Sequence, residues 1–189
     1  MRQSFAATRR LIRADIEWRC LYEHKTMTSL TALRLMFHPG VASVVLFRWQ
    51  RFFDDHWLRL LGSVCRSLNL VLFTSVFESD AEVAGGFLVV HAVANFIDRG
   101  VVIGPRCVFF SHNNLSRSPF DRTAGGAPCV DGGVVFGVGA GAHGDIKIGR
   151  DCRIGMNTTV DFSTAPGSTL LGMPPRVSFQ IEAGPAPDS

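Results

Sequence analysis

Val130, Phe136, Ala142, Ile148, Ile154 and Val160 stand six residues apart. Behind them come Asp131, Gly137, His143, Gly149, Gly155 and Asp161, mostly small or turn-prone. An α-helix repeats every 3.6 residues and a strand every two, so neither produces this spacing. A six-residue repeat held over several units predicts a parallel β-helix. One short strand and one turn consume six residues, and three such units close a triangular coil. The apolar leader of each hexad points inward and stacks on its equivalents in the coils above and below. A small residue then lets the backbone turn the corner, where glycine costs least. A second small inward slot falls four places after each leader, at Val101, Cys107, Val134, Ala140, Ile146, Cys152 and Thr158. The rhythm is also traced at Ile97, Ile103 and Phe109. It breaks over SHNNLSRSPFDRTAGGAPC (111–129), whose Ser, Asn, Pro and Gly content predicts a loop.

The first eighty residues follow a different pattern. Leu11, Ile12, Ile16 and the Trp18/Leu21 pair recur at helical spacing. TSLTALRLMF opens with Thr28 or Ser29 as an N-cap and stops at His38-Pro39-Gly40. A third helix is expected from 41 to Phe53, with Asp54-Asp55 breaking or capping it, and a fourth within 57–75. His38 and His56 read as capping or surface residues at helix ends.

Composition narrows the class. The 189 residues are 47% hydrophobic and 19% charged, as in a folded globular chain. The net charge is +3, with 11 Lys/Arg against 7 Asp/Glu in residues 1–80. That excess is too small and too dispersed for nucleic acid binding. Cys20, Cys65, Cys107, Cys129 and Cys152 form no CxxC pair, so neither a zinc site nor any other metal is expected. Their odd number and apolar neighbours fit reduced thiols in a cytoplasmic protein, with Cys107 and Cys152 as core residues. The N-terminus lacks the charge-then-apolar order of a signal peptide. The most apolar window, residues 58–77, contains Arg59, Arg66 and Asn69 and reads as a helix packed on a partner rather than a membrane span.

Several stretches together resemble the serine acetyltransferase family. LIRADIEW and FHPGVASVVLFRWQRFF are similar to its N-terminal helices, with Gly40 and Phe47-Arg48 at matching positions. DAEVAGGFLVVHAVANFIDRGVVIG resembles the stretch that holds the family's catalytic histidine, which falls on His91. FGVGAGAHGDIKIGRDCRIGMNTTV matches the last coils, and LLGMPPRV the closing segment, with Arg176 at its basic position. The combined expectation is an α+β chain. A helical domain (1–77) precedes a left-handed parallel β-helix (78–178), with a loop at 111–129 and a disordered tail at 179–189. The resemblance implies acetyl-CoA as co-substrate and a trimer or dimer of trimers. CoA would lie in a groove between adjacent β-helices, along Gly137, Val138, Gly155, Met156 and Arg176, with the acceptor hydroxyl in the same cleft.

A hydroxyl is a poor nucleophile at neutral pH, so attack on a thioester needs a positioned base, a role histidine suits. The resemblance gives that role to His91. It also places Asp121, Arg122 and His112 on the acceptor side. Arg122 either receives a carboxylate or phosphate or is a solvated loop arginine. The departures from the family pattern are specific. Val90 stands where an acidic residue precedes the histidine. Val76 stands where an aspartate orients the imidazole, with Glu78 or Asp80 as substitutes after a register shift. No histidine follows Asp121-Arg122, and Val138 and Met156 replace alanines that give the pantetheine arm room. Three readings stay open: an O-acetyltransferase acting on L-serine, one acting on a sugar or other metabolite hydroxyl, and a degenerate β-helix retained for assembly or binding.

Overall fold

A computed structural model describes residues 3–118 and 125–172. Its N-terminal part is four helices: α1 (Phe5–Tyr22), α2 (Ser29–Met36), α3 (Pro39–Asp55) and α4 (Arg59–Phe73). Ser4 caps α1 and Thr28 caps α2, each side chain accepting a backbone N–H of the first turn. The third helix starts two residues earlier than the apolar pattern indicates. Pro39 sits in its first turn, where a missing N–H costs nothing, and the His38 ring accepts from Gly40 N at 3.1 Å. Asp54-Asp55 belong to α3, and the break falls at Trp57, whose φ is +64°. No single helix among the described residues is long and apolar enough to cross a membrane. The pair α2 and α3 reaches that length only with an 83° bend.

The rest is the triangular coil, closed by three all-parallel sheets. Sheet A holds β1 (Val76–Phe77), β4 (Phe96–Ile97), β7 (Asn114–Ser116), β10 (Gly141–His143) and β13 (Thr159–Val160). Sheet B holds β2 (Glu82–Val83), β5 (Val102–Ile103), β8 (Cys129–Val130) and β11 (Lys147–Ile148). Sheet C holds β3 (Leu88–Val89), β6 (Val108–Phe109), β9 (Val135–Phe136), β12 (Arg153–Ile154) and β14 (Thr169–Leu170). Every predicted leader from Ile97 to Val160 is at most 2% exposed, and the second-slot residues are buried as well.

Two boundaries need correction. The coil starts at Val76 rather than 78, and Phe77, Val83 and Val89 are three further buried leaders. They escape the trace because Val89 and Ile97 are eight residues apart, so the repeat gains two residues between them. The expected loop at 111–129 is also too long. Residues 114–116 form a strand with Leu115 fully buried, so the coil runs through the first part of that polar stretch.

The helices cap the open end of the coil. Strands in each coil donate N–H groups to carbonyls of the next, as in Glu78 N to Ile97 O and Val90 N to Phe109 O. The carbonyls of the first coil therefore face away from it and need other partners. Gln50 donates to Phe77 O at 3.0 Å, Arg48 to Val83 O at 2.6 Å and Arg19 to Val89 O at 3.3 Å. Each side of the triangle is thus closed by one helical side chain. Asp15 holds Arg48 in place through two contacts, at 2.9 and 3.1 Å, and accepts Phe87 N at 2.8 Å. Inside the coil, Phe47 of α3 begins a run of touching rings through Phe77, Phe87, Phe109 and Phe136.

Candidate functional site

His91 lies in the two-residue insertion between Val89 and Ile97, at the corner from sheet C to sheet A. Its backbone N–H donates to Phe110 O at 3.0 Å, and its ring is exposed. The same corner recurs in each coil. His112 follows β6, Gly137-Val138 follow β9, and Gly155-Met156 follow β12. Backbone bonds lock these corners together: His112 N to Val93 O, Gly139 N to Ser111 O and Asn157 N to Val138 O. The expected base, one expected acceptor contact and four expected groove residues therefore form one edge of the prism. His112 is part of a coil corner (φ +55°), not of a loop. Val138 (37% exposed) and Met156 (70% exposed) project outward along that edge. The glycines before them leave little room for a side chain. A Cβ on Gly137 would meet Met156 N at 2.9 Å, and one on Gly155 would meet Leu170 O at 3.0 Å. Asp121, Arg122 and Arg176 lie outside the described residues.

No carboxylate among the described residues hydrogen-bonds the His91 ring. Glu78 is engaged elsewhere, with Arg66 at 2.6 Å and Arg99 at 3.7 Å, at the corner from sheet A to sheet B. What holds His91 is its backbone. Asn95 Nδ2 donates to His91 O at 3.2 Å, while Asn95 Oδ1 accepts from Asn113 N at 3.1 Å. Asn113 Nδ2 in turn donates to Gly137 O at 2.6 Å. Both asparagines are buried and tie the insertion to the next two coils. The sequence reading missed them; an eight-residue gap in a six-residue repeat is the signal that marks the place.

The N-terminus of α3 closes over the same corner. A Cβ on Gly40 would lie 2.0 Å from Val89 O and 3.4 Å from Val90 O, so glycine alone allows this approach. Arg19 NH2 stands 3.0 Å from His38 Nε2, and the Arg19 guanidinium is ion-paired with Glu23, which also meets Lys25 at 2.7 Å. Burial holds the His38 ring below the ordinary histidine range, and the Arg19 charge adds to that. Partial burial draws Glu23 upward, but the Lys25 hydrogen bond and Arg19 outweigh it and hold its carboxyl low. His143, which follows the leader Ala142, is half-buried in β10 with Nδ1 2.8 Å from Ser116 Oγ. Burial lowers its pKa. Burial pushes the Cys107 thiol up to about 11, in keeping with a packing role.

A helical cap on a coil of hexapeptide turns, with a histidine at a corner insertion, defines a left-handed β-helix protein of the hexapeptide-repeat class. No protein-family model matches the chain. It is 28% identical over 158 residues to a serine acetyltransferase of Mycobacterium tuberculosis, covering 82% of this chain and 68% of the relative. It is 23% identical to one of Synechococcus elongatus, covering 77% and 59%. The structure of Neisseria gonorrhoeae serine acetyltransferase in complex with serine superposes with a TM-score of 0.76 at 21% identity, covering 89% of this chain and 68% of the other. The chain is thus similar to serine acetyltransferases in sequence over most of its length and shares their fold. It spans from 48% to 68% of the length of the curated relatives it matches.

Proposed function

We propose that the protein transfers an acetyl group from acetyl-CoA to the hydroxyl of a small acceptor, with His91 as general base. The observation that carries this reading is the edge on which His91, His112, Val138 and Met156 stack in successive coils. A thioester laid along it would bring its carbonyl to the His91 end. His91 takes the acceptor's hydroxyl proton as the oxygen attacks the acyl carbon. Backbone N–H groups stabilise the oxyanion of the tetrahedral adduct. The adduct collapses with cleavage of the C–S bond, and the imidazolium returns its proton to the CoA thiolate. L-Serine is the first acceptor to test, because the relatives' names specify it. An acceptor without an ammonium group, such as a sugar hydroxyl, is the second reading, favoured by Val90 directly before the base and by the absence, among the described residues, of a carboxylate bonded to the His91 ring.

The other wall of the groove belongs to a second subunit in this reading, which makes the working unit a cytoplasmic trimer or dimer of trimers. Asp121 and Arg122 would reach the acceptor from the loop, and Arg176 the CoA phosphates. Calorimetry with acetyl-CoA, followed by thiol release with L-serine and a panel of sugars, tests the proposal. Saturable binding with turnover of any of these acceptors supports it. Absence of acetyl-CoA binding would overturn it and leave the assembly reading.

A further inference from the structure

The corner from sheet B to sheet C, away from His91, carries a second cleft of about 480 Å³ between α1 and the coil. Its floor is built by three successive coils. Pro105-Arg106 precede β6, Gly132-Gly133 precede β9, and Arg150-Asp151 precede β12. Gly133 N donates to Pro105 O at 2.9 Å and Asp151 N to Gly132 O at 3.0 Å, so the three corners are stacked directly. At about 4.8 Å per coil, the two arginine positions stand about 10 Å apart. The coil between them presents no side chain. Gly133 has φ +76°, and Asp151 Oδ1 lies 2.1 Å from where its Cβ would stand, so the missing side chain makes room for the Asp151 carboxylate.

Trp18 and Tyr22, one turn apart on α1, form the wall. Trp18 Nε1 is buried and donates to nothing among the described residues, a costly state for an N–H group. Neither Arg106 nor Arg150 has an ion-pair partner among them, although both are exposed beside the cleft. Two arginines against the single Asp151 leave one net positive charge. The volume lies in the range of small-molecule sites, which combine an apolar wall with a few convergent polar groups.

We infer that this cleft is a second ligand site and that it takes an aromatic carboxylate, its ring against Trp18 and its carboxylate between Arg106 and Arg150. The single net charge selects a monoanion over a phosphate dianion. Arginine forks suit a carboxylate, and the indole face suits a flat ring.

The probe is indole-3-acetate, titrated calorimetrically into the full chain beside indole (the ring without the charge) and acetate (the charge without the ring). Indole-3-acetate is expected to bind with a Kd below about 1 mM, and each fragment at least about tenfold more weakly. Arg106→Gln and Arg150→Gln alter exposed side chains, and each should weaken binding about tenfold or more. His91→Ala should leave it unchanged. The inference is overturned if indole-3-acetate gives no saturable heat up to about ten times that Kd. It is equally overturned if indole binds as tightly, if the double arginine variant binds normally, or if His91→Ala abolishes binding and so places the ligand at the other corner.

Discussion

Single positions carry two predictions. The His38 ring accepts the α3 N-cap bond and is held neutral by burial and by Arg19. A histidine whose folded pKa is depressed contributes stability above its unfolded value of about 6.5, and loses it as pH falls toward the folded value. His38→Asn keeps a capping acceptor without the titration. Thermal unfolding of this variant should depend less on pH below about 6.5 than the parent does, and parallel curves would refute the assignment. His143 contributes with the same sign, so the dependence should shrink rather than vanish. Val138 and Met156 project from the edge proposed for the cofactor, with outward side chains larger than alanine. Val138→Ala and Met156→Ala should lower the KM for acetyl-CoA several-fold with little change in kcat, as expected for a contact made equally in ground and transition states. A raised KM would show that these side chains assist the cofactor, and an unchanged KM that they do not bear on it. Their place in the repeat was readable from the hexad count. The Asn95–Asn113 link was not, because hydrogen bonds between adjacent coils leave no periodic trace.

Helix α3 acts as the lid of the solenoid, and its energetics can be tested separately from catalysis. Arg48 is 1% exposed, pairs with Asp15 and covers Val83 O and Ala84 O. Removing one partner of such a buried pair costs about 3–5 kcal/mol, so Arg48→Met should lower stability by about that amount in denaturant unfolding. Gln50→Leu, which orphans only Phe77 O, should cost about 1–3 kcal/mol. Equal and negligible losses would mean that the cap is not closed by these bonds. Gly40→Ala should act on both stability and turnover, since its Cβ would displace α3 from the His91 corner. Four helices and their order were legible from 3.6-residue periodicity and capping residues. Their function as a cap was not. The first-coil carbonyls that need partners become visible only once the sheet directions are known. The coil's true start at Val76 lay hidden for another reason, the eight-residue step from Val89 to Ile97.

In the whole molecule, the fold was written in the hexad leaders, the proposal of His91 as base came from a family resemblance, and the acceptor depends on residues that the repeat does not dictate. On the proposed reading the outward edge of the coil forms half of a groove, and α4 exposes Leu60 and Val71. Light scattering should therefore give three or six chains per particle; a monomer that turns over acceptor would contradict the shared-groove reading. The role proposed for His91 is tested by thiol release from acetyl-CoA with L-serine, and then with sugars, by the parent protein and by His91→Ala. Saturable turnover should fall about 100-fold or more in the variant, while acetyl-CoA binding persists. Turnover that survives the substitution would contradict it.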